Sequence, residues 1–174
     1  MPGDTVTATS DSLRETIAGA LANQKAKTVT VLSSLLAIED ELGYIPPQAI
    51  EEVATHTHST INDVWGVASF YTNFRFTPPG EHVVEVCWGP TCHLLGTRNI
   101  LQAVLDALGL AEEGDTADKK VSLKYNTCLG ACSQGPVIHV DGRMLGPQAL
   151  GALRGDALVQ RVAGMVVQIK NGSA

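Results

Sequence analysis

The sequence predicts an α+β protein, in which a small helical bundle is followed by a mixed β-sheet with flanking helices. Two observations predict this class. Apolar residues recur at a helical spacing up to residue 76, and short β-branched runs bounded by turn residues begin after residue 80. Between the two patterns, the stretch Thr77-Pro78-Pro79-Gly80 is typical of a linker.

The first half of the chain is predicted to form three or four short helices within residues 12–78, after a disordered tail at residues 1–11. Helical spacing covers residues 12–27 and 28–42, and Gly43 follows the last apolar position as a stop signal. A further helix is predicted to start at Pro46-Pro47, and another after Ser59 or Thr60, either of which can act as N-cap.

The second half, residues 79–174, combines strand and helix patterns. Strands are predicted at residues 82–87 and 121–125, with a helix between them over residues 96–110. The Asp141-Gly142 pair predicts a tight hairpin between residues 136–140 and 143–145. Helices over residues 148–153 and 157–169 are predicted to close the chain.

The charge and the hydropathy pattern exclude several classes of function. Lys and Arg number 12 against 18 Asp and Glu, so the formal net charge is −6, and a basic footprint for nucleic acid is absent. No apolar run reaches the roughly 18 residues of a membrane span. The first residues show neither the basic nor the apolar region of a secretory signal. We therefore expect a cytoplasmic protein without direct membrane insertion, which could reach the inner face of a membrane through a larger complex.

Four cysteines lie between residues 87 and 132, in two pairs that each follow a predicted strand: Cys87 and Cys92, then Cys128 and Cys132. If the two strands share a sheet, all four sulfurs can converge at one of its ends. Three chemistries fit such a set, namely a [2Fe–2S] cluster, a zinc site, and thiol or disulfide chemistry. The wide first gap and the absence of acidic residues within either pair favour the cluster. Gly89 and Gly130 favour it too, because they let backbone N–H groups approach the sulfurs.

Several stretches resemble the thioredoxin-like [2Fe–2S] ferredoxin family, which includes the small peripheral iron–sulfur subunit of complex I. Its relatives are the gamma-type subunits of NAD-dependent formate dehydrogenases and NAD-reducing hydrogenases. The resemblance spans about residues 28–150. In the second half of the chain it lies in two cysteine motifs, the stretch that follows them and a hairpin turn: Cys87-Trp88-Gly89-Pro90-Thr91-Cys92-His93, Thr127-Cys128-Leu129-Gly130-Ala131-Cys132, Gly135-Pro136-Val137-Ile138 and Asp141-Gly142. In the first half it lies in two stretches of the helical region: Glu41-Leu42-Gly43-Tyr44-Ile45-Pro46 and Val64-Trp65-Gly66-Val67-Ala68-Ser69-Phe70-Tyr71.

The resemblance implies a thioredoxin-like domain at residues 79–174, preceded by a helical domain at residues 12–78 that docks a partner. It implies one [2Fe–2S] cluster, bound by all four cysteines, and an electron-transfer role without catalysis by the chain alone. The residues expected beside the ligands are Gly89, Thr91, His93, Gly130 and Ala131.

The implied partner is a flavoprotein subunit with FMN, an NAD(H) site and a [4Fe–4S] cluster, within a larger oxidoreductase complex. The sequence contains no G-x-G-x-x-G motif, so flavin and nicotinamide chemistry is expected on that partner. The parent complex stays open between a complex I-type NADH dehydrogenase, a formate dehydrogenase and a hydrogenase.

Two other functions for the cysteines stay open, and they use different sets of these residues. A thiol–disulfide oxidoreductase would use Cys128 and Cys132, although such enzymes usually carry C-x-x-C at the start of a helix. A structural zinc module would use all four cysteines.

Outside the cysteine motifs, His139 is predicted to face solvent or a partner. The aromatic side chains of Trp65, Phe70 and Tyr71 are predicted to pack in a core or an interface.

Overall fold

The computed structural model describes residues 10–172. The chain divides into two compact units, Met1–Pro78 and Pro79–Ala174. Of the predicted disordered tail, residues 1–9 lie outside the described residues. Residues 10 and 11 instead begin the first helix, where the acidic Asp11 lies in the first turn and is favoured by the helix dipole.

Within its described residues 10–78, the first unit, here called the helical unit, has four helices: α1 (Ser10–Ala22), α2 (Val31–Leu42), α3 (Pro47–Thr57) and α4 (Ile61–Phe70). Each helix contributes apolar residues to one core, including Ile17, Ile38, Val53 and Val64, which are fully buried. The predicted small helical bundle is therefore present, with all four helices.

Local capping explains where these helices begin and end. Thr30 caps α2 and forms a capping box with Ser33, so the helix starts at Val31 rather than at residue 28. Gly43 ends α2 in the left-handed conformation with a φ of 74°, as its position in the sequence predicts. Thr60 caps α4 with the help of Asp63, which confirms one of the two predicted N-caps.

The second unit, here called the sheet unit, has five strands: β1 (His82–Cys87), β2 (Gly114–Asp115), β3 (Val121–Asn126), β4 (Ile138–Val140) and β5 (Arg143–Leu145). Its helices are α5 (Pro90–Leu94), α6 (Thr97–Leu108) and α7 (Gly155–Lys170), with a 3₁₀ turn at Cys132–Gln134. The strand order is β2-β3-β1-β4-β5. The β1 and β3 strands are parallel, while the other pairs are antiparallel. The α+β class and the mixed sheet are thus confirmed.

Alternation along the strands gives the sheet two different faces. Val84, Val86, Leu123 and Ile138 belong to one buried core together with residues of α6 and α7. Because successive side chains of a strand point to opposite faces, Glu85, Asn126 and His139 lie on the other face, where they are half-buried. One face of the sheet is therefore apolar and covered by helices, and the other carries polar side chains.

One sequence prediction is wrong in this unit, and two short elements were missed. Residues 148–153 form turns rather than a helix, because Gly151 and Ala152 have φ angles of 90° and 57°. The five-residue helix α5 and the two-residue strand β2 were not predicted. Both are too short to show a periodic pattern.

The helix predicted over residues 12–27 ends at Ala22, where the Gln24 side chain donates to the Leu21 carbonyl. Nowhere within residues 10–172 is a helix both long enough and apolar enough to cross a bilayer.

Candidate metal centre

The parallel pairing of β1 and β3 brings the two cysteine pairs to one edge of the sheet. Cys87 is the last residue of β1 and is in register with Asn126, the last residue of β3. Cys92 lies in α5 just after β1, and Cys128 lies two residues beyond the end of β3. Both cysteine loops therefore leave the sheet side by side, in the same direction.

The four cysteines are free thiols with unequal exposure. Cys87 and Cys92 are 2% and 1% exposed, whereas Cys128 and Cys132 are exposed. Val137 packs with the two buried cysteines in a small apolar cluster, and Leu129 and Ala131 cover it. The first pair is thus shielded from water, and the second pair lies at the surface.

The thiols lie close enough to interact with one another. The Cys87 thiol lies within hydrogen-bonding reach of the Cys92 and Cys128 thiols, and the nearby Cys132 contributes to the raised pKa of Cys92. Among residues 10–172, however, no group of three or more His, Cys, Asp or Glu side chains is arranged to hold a metal ion. A [2Fe–2S] cluster is held by four cysteine thiolates, two on each iron.

Backbone N–H groups point at the sulfurs. Leu129 and Gly89 donate to the Cys87 thiol, and Val137 donates to the Cys92 thiol. The Gly130 N–H donates to Cys128 Sγ at 3.4 Å. Such donors stabilise thiolate charge and are the groups that tune an iron–sulfur cluster.

The two buried cysteines differ in acidity. Burial opposes ionisation of Cys87, but hydrogen bonds from the N–H groups of Leu129 and Gly89 and from the Cys92 and Cys128 thiols together outweigh it, so its pKa is below the usual value. Burial and the neighbouring Cys87 raise the pKa of Cys92 to about 11. Cys87 is therefore the readier of the two thiols to ionise.

Glycines leave the loops room to approach each other. A Cβ atom on Gly89 would lie 3.3 Å from the Thr127 carbonyl oxygen and 3.7 Å from Cys128 Sγ. A Cβ atom on Gly135 would lie 3.4 Å from Cys92 Sγ. Gly130 has a φ of 76°, which other residues rarely adopt. Loop closure around the sulfurs thus depends on residues without side chains.

His93, Thr91 and Ala131, which were also predicted to lie beside the ligands, differ in their surroundings. His93 packs edge-on against Trp88, with ring centroids 4.3 Å apart, and Trp88 stacks on Tyr125. Thr91 is exposed, and its carbonyl oxygen accepts the Leu95 N–H. Ala131 lies against the buried cysteines.

Sequence reasoning missed Val137 as part of the site. Its carbonyl oxygen accepts the Cys87 N–H at 3.2 Å, while its N–H donates to the Cys92 thiol. Val137 precedes β4, which pairs with β1. No local pattern shows that pairing, although Val137 belongs to a stretch that carries the family resemblance.

A family model described as thioredoxin-like [2Fe–2S] ferredoxin matches residues 17–154, most of the chain. The chain belongs to this family. The family expected from the cysteine motifs and the helical stretches is therefore confirmed, and with it the thioredoxin-like character of the sheet unit.

Two relatives of this ferredoxin-family chain are named as subunits of NADH-quinone oxidoreductase. Subunit 2 of Thermus thermophilus is 33% identical over 117 residues, which cover 67% of this chain and 65% of that protein. A subunit of the same enzyme from Rhizobium meliloti is 30% identical over 165 residues, which cover 94% of this chain and 97% of that protein. The chain thus spans about two thirds of the Thermus protein and nearly all of the Rhizobium protein.

A solved structure shares the fold. An NAD+-reducing [NiFe]-hydrogenase in the air-oxidised state has a TM-score of 0.61 and 22% sequence identity. The match covers 83% of this ferredoxin-family chain and 23% of the hydrogenase chain.

Proposed function

We propose that this chain binds one [2Fe–2S] cluster through Cys87, Cys92, Cys128 and Cys132, and passes single electrons within an NAD(H)-linked oxidoreductase complex. The observation that carries the proposal is that parallel strands β1 and β3 end side by side and bring both cysteine loops to one sheet edge, with N–H donors directed at three of the four free thiols. Membership of the [2Fe–2S] ferredoxin family supports the choice of cluster.

The cluster would supply one-electron redox chemistry when bound. The chain holds the thiolates in place, directs N–H dipoles at them, and excludes water from the buried pair. The exposed pair, Cys128 and Cys132, would be the side from which electrons enter and leave, because tunnelling is favoured where least protein intervenes. Trp88, which follows Cys87, and His93, which follows Cys92, are not ligands in this proposal.

The partner in this proposal is a flavoprotein subunit with FMN, an NAD(H) site and a [4Fe–4S] cluster. The names of the relatives, which are subunits of NADH-quinone oxidoreductase, support a multi-subunit complex. The helical unit would dock that partner. Its exposed aromatic side chains support this role, since Trp65, Phe70 and Tyr71 are 50%, 76% and 42% exposed.

Metal analysis tests the cluster. Anaerobically purified or reconstituted chain should be brown, with about two irons and two sulfides per chain, and should give a rhombic EPR signal only after reduction. Cys92→Ser should lose the chromophore because an iron loses a ligand. Ser133→Ala, an exposed change beside Cys132, is the matched control and should keep it. Colourless chain with about one zinc ion would refute the proposal.

Co-purification tests the partner. Tagged full-length chain should retain a flavin-containing subunit, and Phe70→Ser should weaken that retention. Met144→Ser removes an apolar side chain that is 40% exposed in the sheet unit and serves as control. Equal retention by Phe70→Ser and the wild type would contradict a docking role for this aromatic side chain. The other co-purifying chains would identify the parent complex among NADH dehydrogenase, formate dehydrogenase and hydrogenase.

A further inference from the structure

The side chains of His139, Glu85 and Asn126, on the polar face of the sheet, form a line of hydrogen bonds that ends at a cysteine loop. His139 Nδ1 lies 2.7 Å from Glu85 Oε2, and Asn126 Nδ2 donates to Glu85 Oε1 at 3.1 Å. Asn126 Oδ1 in turn accepts the N–H of Cys128 at 3.2 Å. The line therefore crosses three neighbouring strands and ends at the backbone of Cys128.

Asn126 contacts both cysteine loops. Its main-chain carbonyl oxygen accepts the N–H of Trp88, the residue that follows Cys87, at 2.7 Å. Its side-chain oxygen accepts the N–H of Cys128. One residue thus joins the start of the first loop to the start of the second.

Glu85 determines which way the Asn126 amide faces. A flipped amide would place its oxygen against the Glu85 carboxylate and its NH₂ group against the Cys128 N–H, and both contacts are repulsive. The Glu85 side chain is only 18% exposed, and each of its two oxygens has a partner. The carboxylate is therefore itself held in place by His139 and Asn126.

The restraint matters because Cys128 lacks the burial that fixes the first pair. Cys87 and Cys92 are packed against Val137, whereas Cys128 is exposed. We propose that Asn126, oriented by Glu85 and His139, is the positioning residue that holds the Cys128 loop in its ligand geometry. This inference rests on the proposed function, since it assigns Asn126 a role in keeping the cluster bound.

Iron release from the full-length, cluster-loaded chain tests the inference. Asn126→Ala should release iron to a chelator roughly three- to tenfold faster, the factor expected for the loss of one anchoring hydrogen bond. It should also shift the g-values of the reduced cluster, because a ligand sulfur moves. Asn126→Ser should show a smaller increase, since its hydroxyl can still accept the Cys128 N–H but cannot reach Glu85. Asn99→Ser, an exposed change on α6, should release iron at the wild-type rate.

A reciprocal exchange separates positioning from general damage. Asn126→Asp keeps the acceptor for Cys128 but places a second carboxylate against Glu85, so iron release should be faster than in the wild type. Adding Glu85→Gln restores a donor to that contact and should return the release rate towards the wild-type value. This pair also keeps the test decisive if Asn126→Ala fails to fold.

Two results would overturn the inference: Asn126→Ala with wild-type release and unchanged g-values, or a double variant that releases iron as fast as Asn126→Asp alone. Its failure is distinct from failure of the proposed function. If the wild-type chain itself binds no two-iron chromophore, the proposed function is wrong before any variant is compared.

Discussion

The helical unit buries one apolar core, which draws on all four helices, whereas the sheet unit buries a large core and a separate small cluster around the cysteines. The small cluster contains only Cys87, Cys92 and Val137, with two partly buried neighbours. Its geometry depends on backbone hydrogen bonds and on glycines that allow close approach. Side-chain burial therefore stabilises the two large cores, while backbone hydrogen bonds and glycines shape the loops that carry the cysteines.

The two units also differ at the surface. Aromatic side chains are exposed on the helical unit, among them Phe70 at 76%. On the sheet unit, the most exposed large apolar residue is Leu94 at 90%, two residues after Cys92. We therefore expect substitutions on the helical unit to affect partner binding and substitutions near the loops to affect the cluster.

Truncating one core side chain in each unit should have the largest effects, with equal losses of stability but different rates of iron release. Ile38→Ala in the helical unit and Ile138→Ala in the sheet unit each remove a side chain that is at most 1% exposed, so each should cost about 2–5 kcal/mol of unfolding free energy. Only Ile138→Ala should also speed iron release, because Ile138 follows Val137 in the chain. Urea unfolding followed by circular dichroism gives the first quantity, and chelator kinetics give the second. Equal acceleration by Ile38→Ala would mean that the comparison between the units is wrong.

Alanine substitutions at Gly135 and Gly66 should change the stability of the protein in opposite directions. A Cβ on Gly135 would lie 3.0 Å from Leu95 Cδ1 and 3.3 Å from the Cys132 carbonyl oxygen, so Gly135→Ala should cost about 1–3 kcal/mol and loosen the cluster. Gly66 lies inside α4, where an added Cβ would meet nothing within 4 Å, and Gly66→Ala should raise stability by about 0.5–1 kcal/mol. Thermal melts with simultaneous absorbance of the cluster measure both effects.

The smallest expected effect is on stability at acid pH. In each unit, hydrogen bonds lower the pKa of one aspartate, Asp63 in the helical unit and Asp118 in the sheet unit. The Thr60 hydroxyl and N–H lower the pKa of Asp63, and the Thr116 hydroxyl with the Lys120 N–H lowers that of Asp118. A lowered folded-state pKa gives stability that is present above the unfolded pKa and is lost as pH falls through the folded value. Melting temperatures between about pH 6 and pH 3 should therefore fall less steeply for Asp63→Asn and Asp118→Asn than for the wild type. Unchanged slopes in both variants would show that these hydrogen bonds are not maintained in solution.

Features that depend on neighbouring residues in the chain were predictable from the sequence. The left-handed stop at Gly43, the N-cap at Thr60 and the Asp141-Gly142 hairpin all involve contacts between residues close together in the chain. The bounds of β1 were predicted correctly because its strand-like run ends at Cys87 and the turn residues Gly89 and Pro90 follow. The turn at residues 148–153 shows the limit of this approach, since its apolar pattern is helical while its backbone is not.

By itself, the sequence determined the α+β class, the four cysteines with their spacing, and the family, because these lie in local patterns and in motif identity. The tertiary structure alone decided that β3 lies parallel to β1, that Val137 contacts both buried cysteines, and that Asn126 bonds to both loops. The physical reason is chain separation. Apart from the bond between Asn126 and its near neighbour Cys128, these contacts join parts of the chain that are roughly 40 to 50 positions apart, and their formation depends on sheet pairing that no short stretch of sequence specifies.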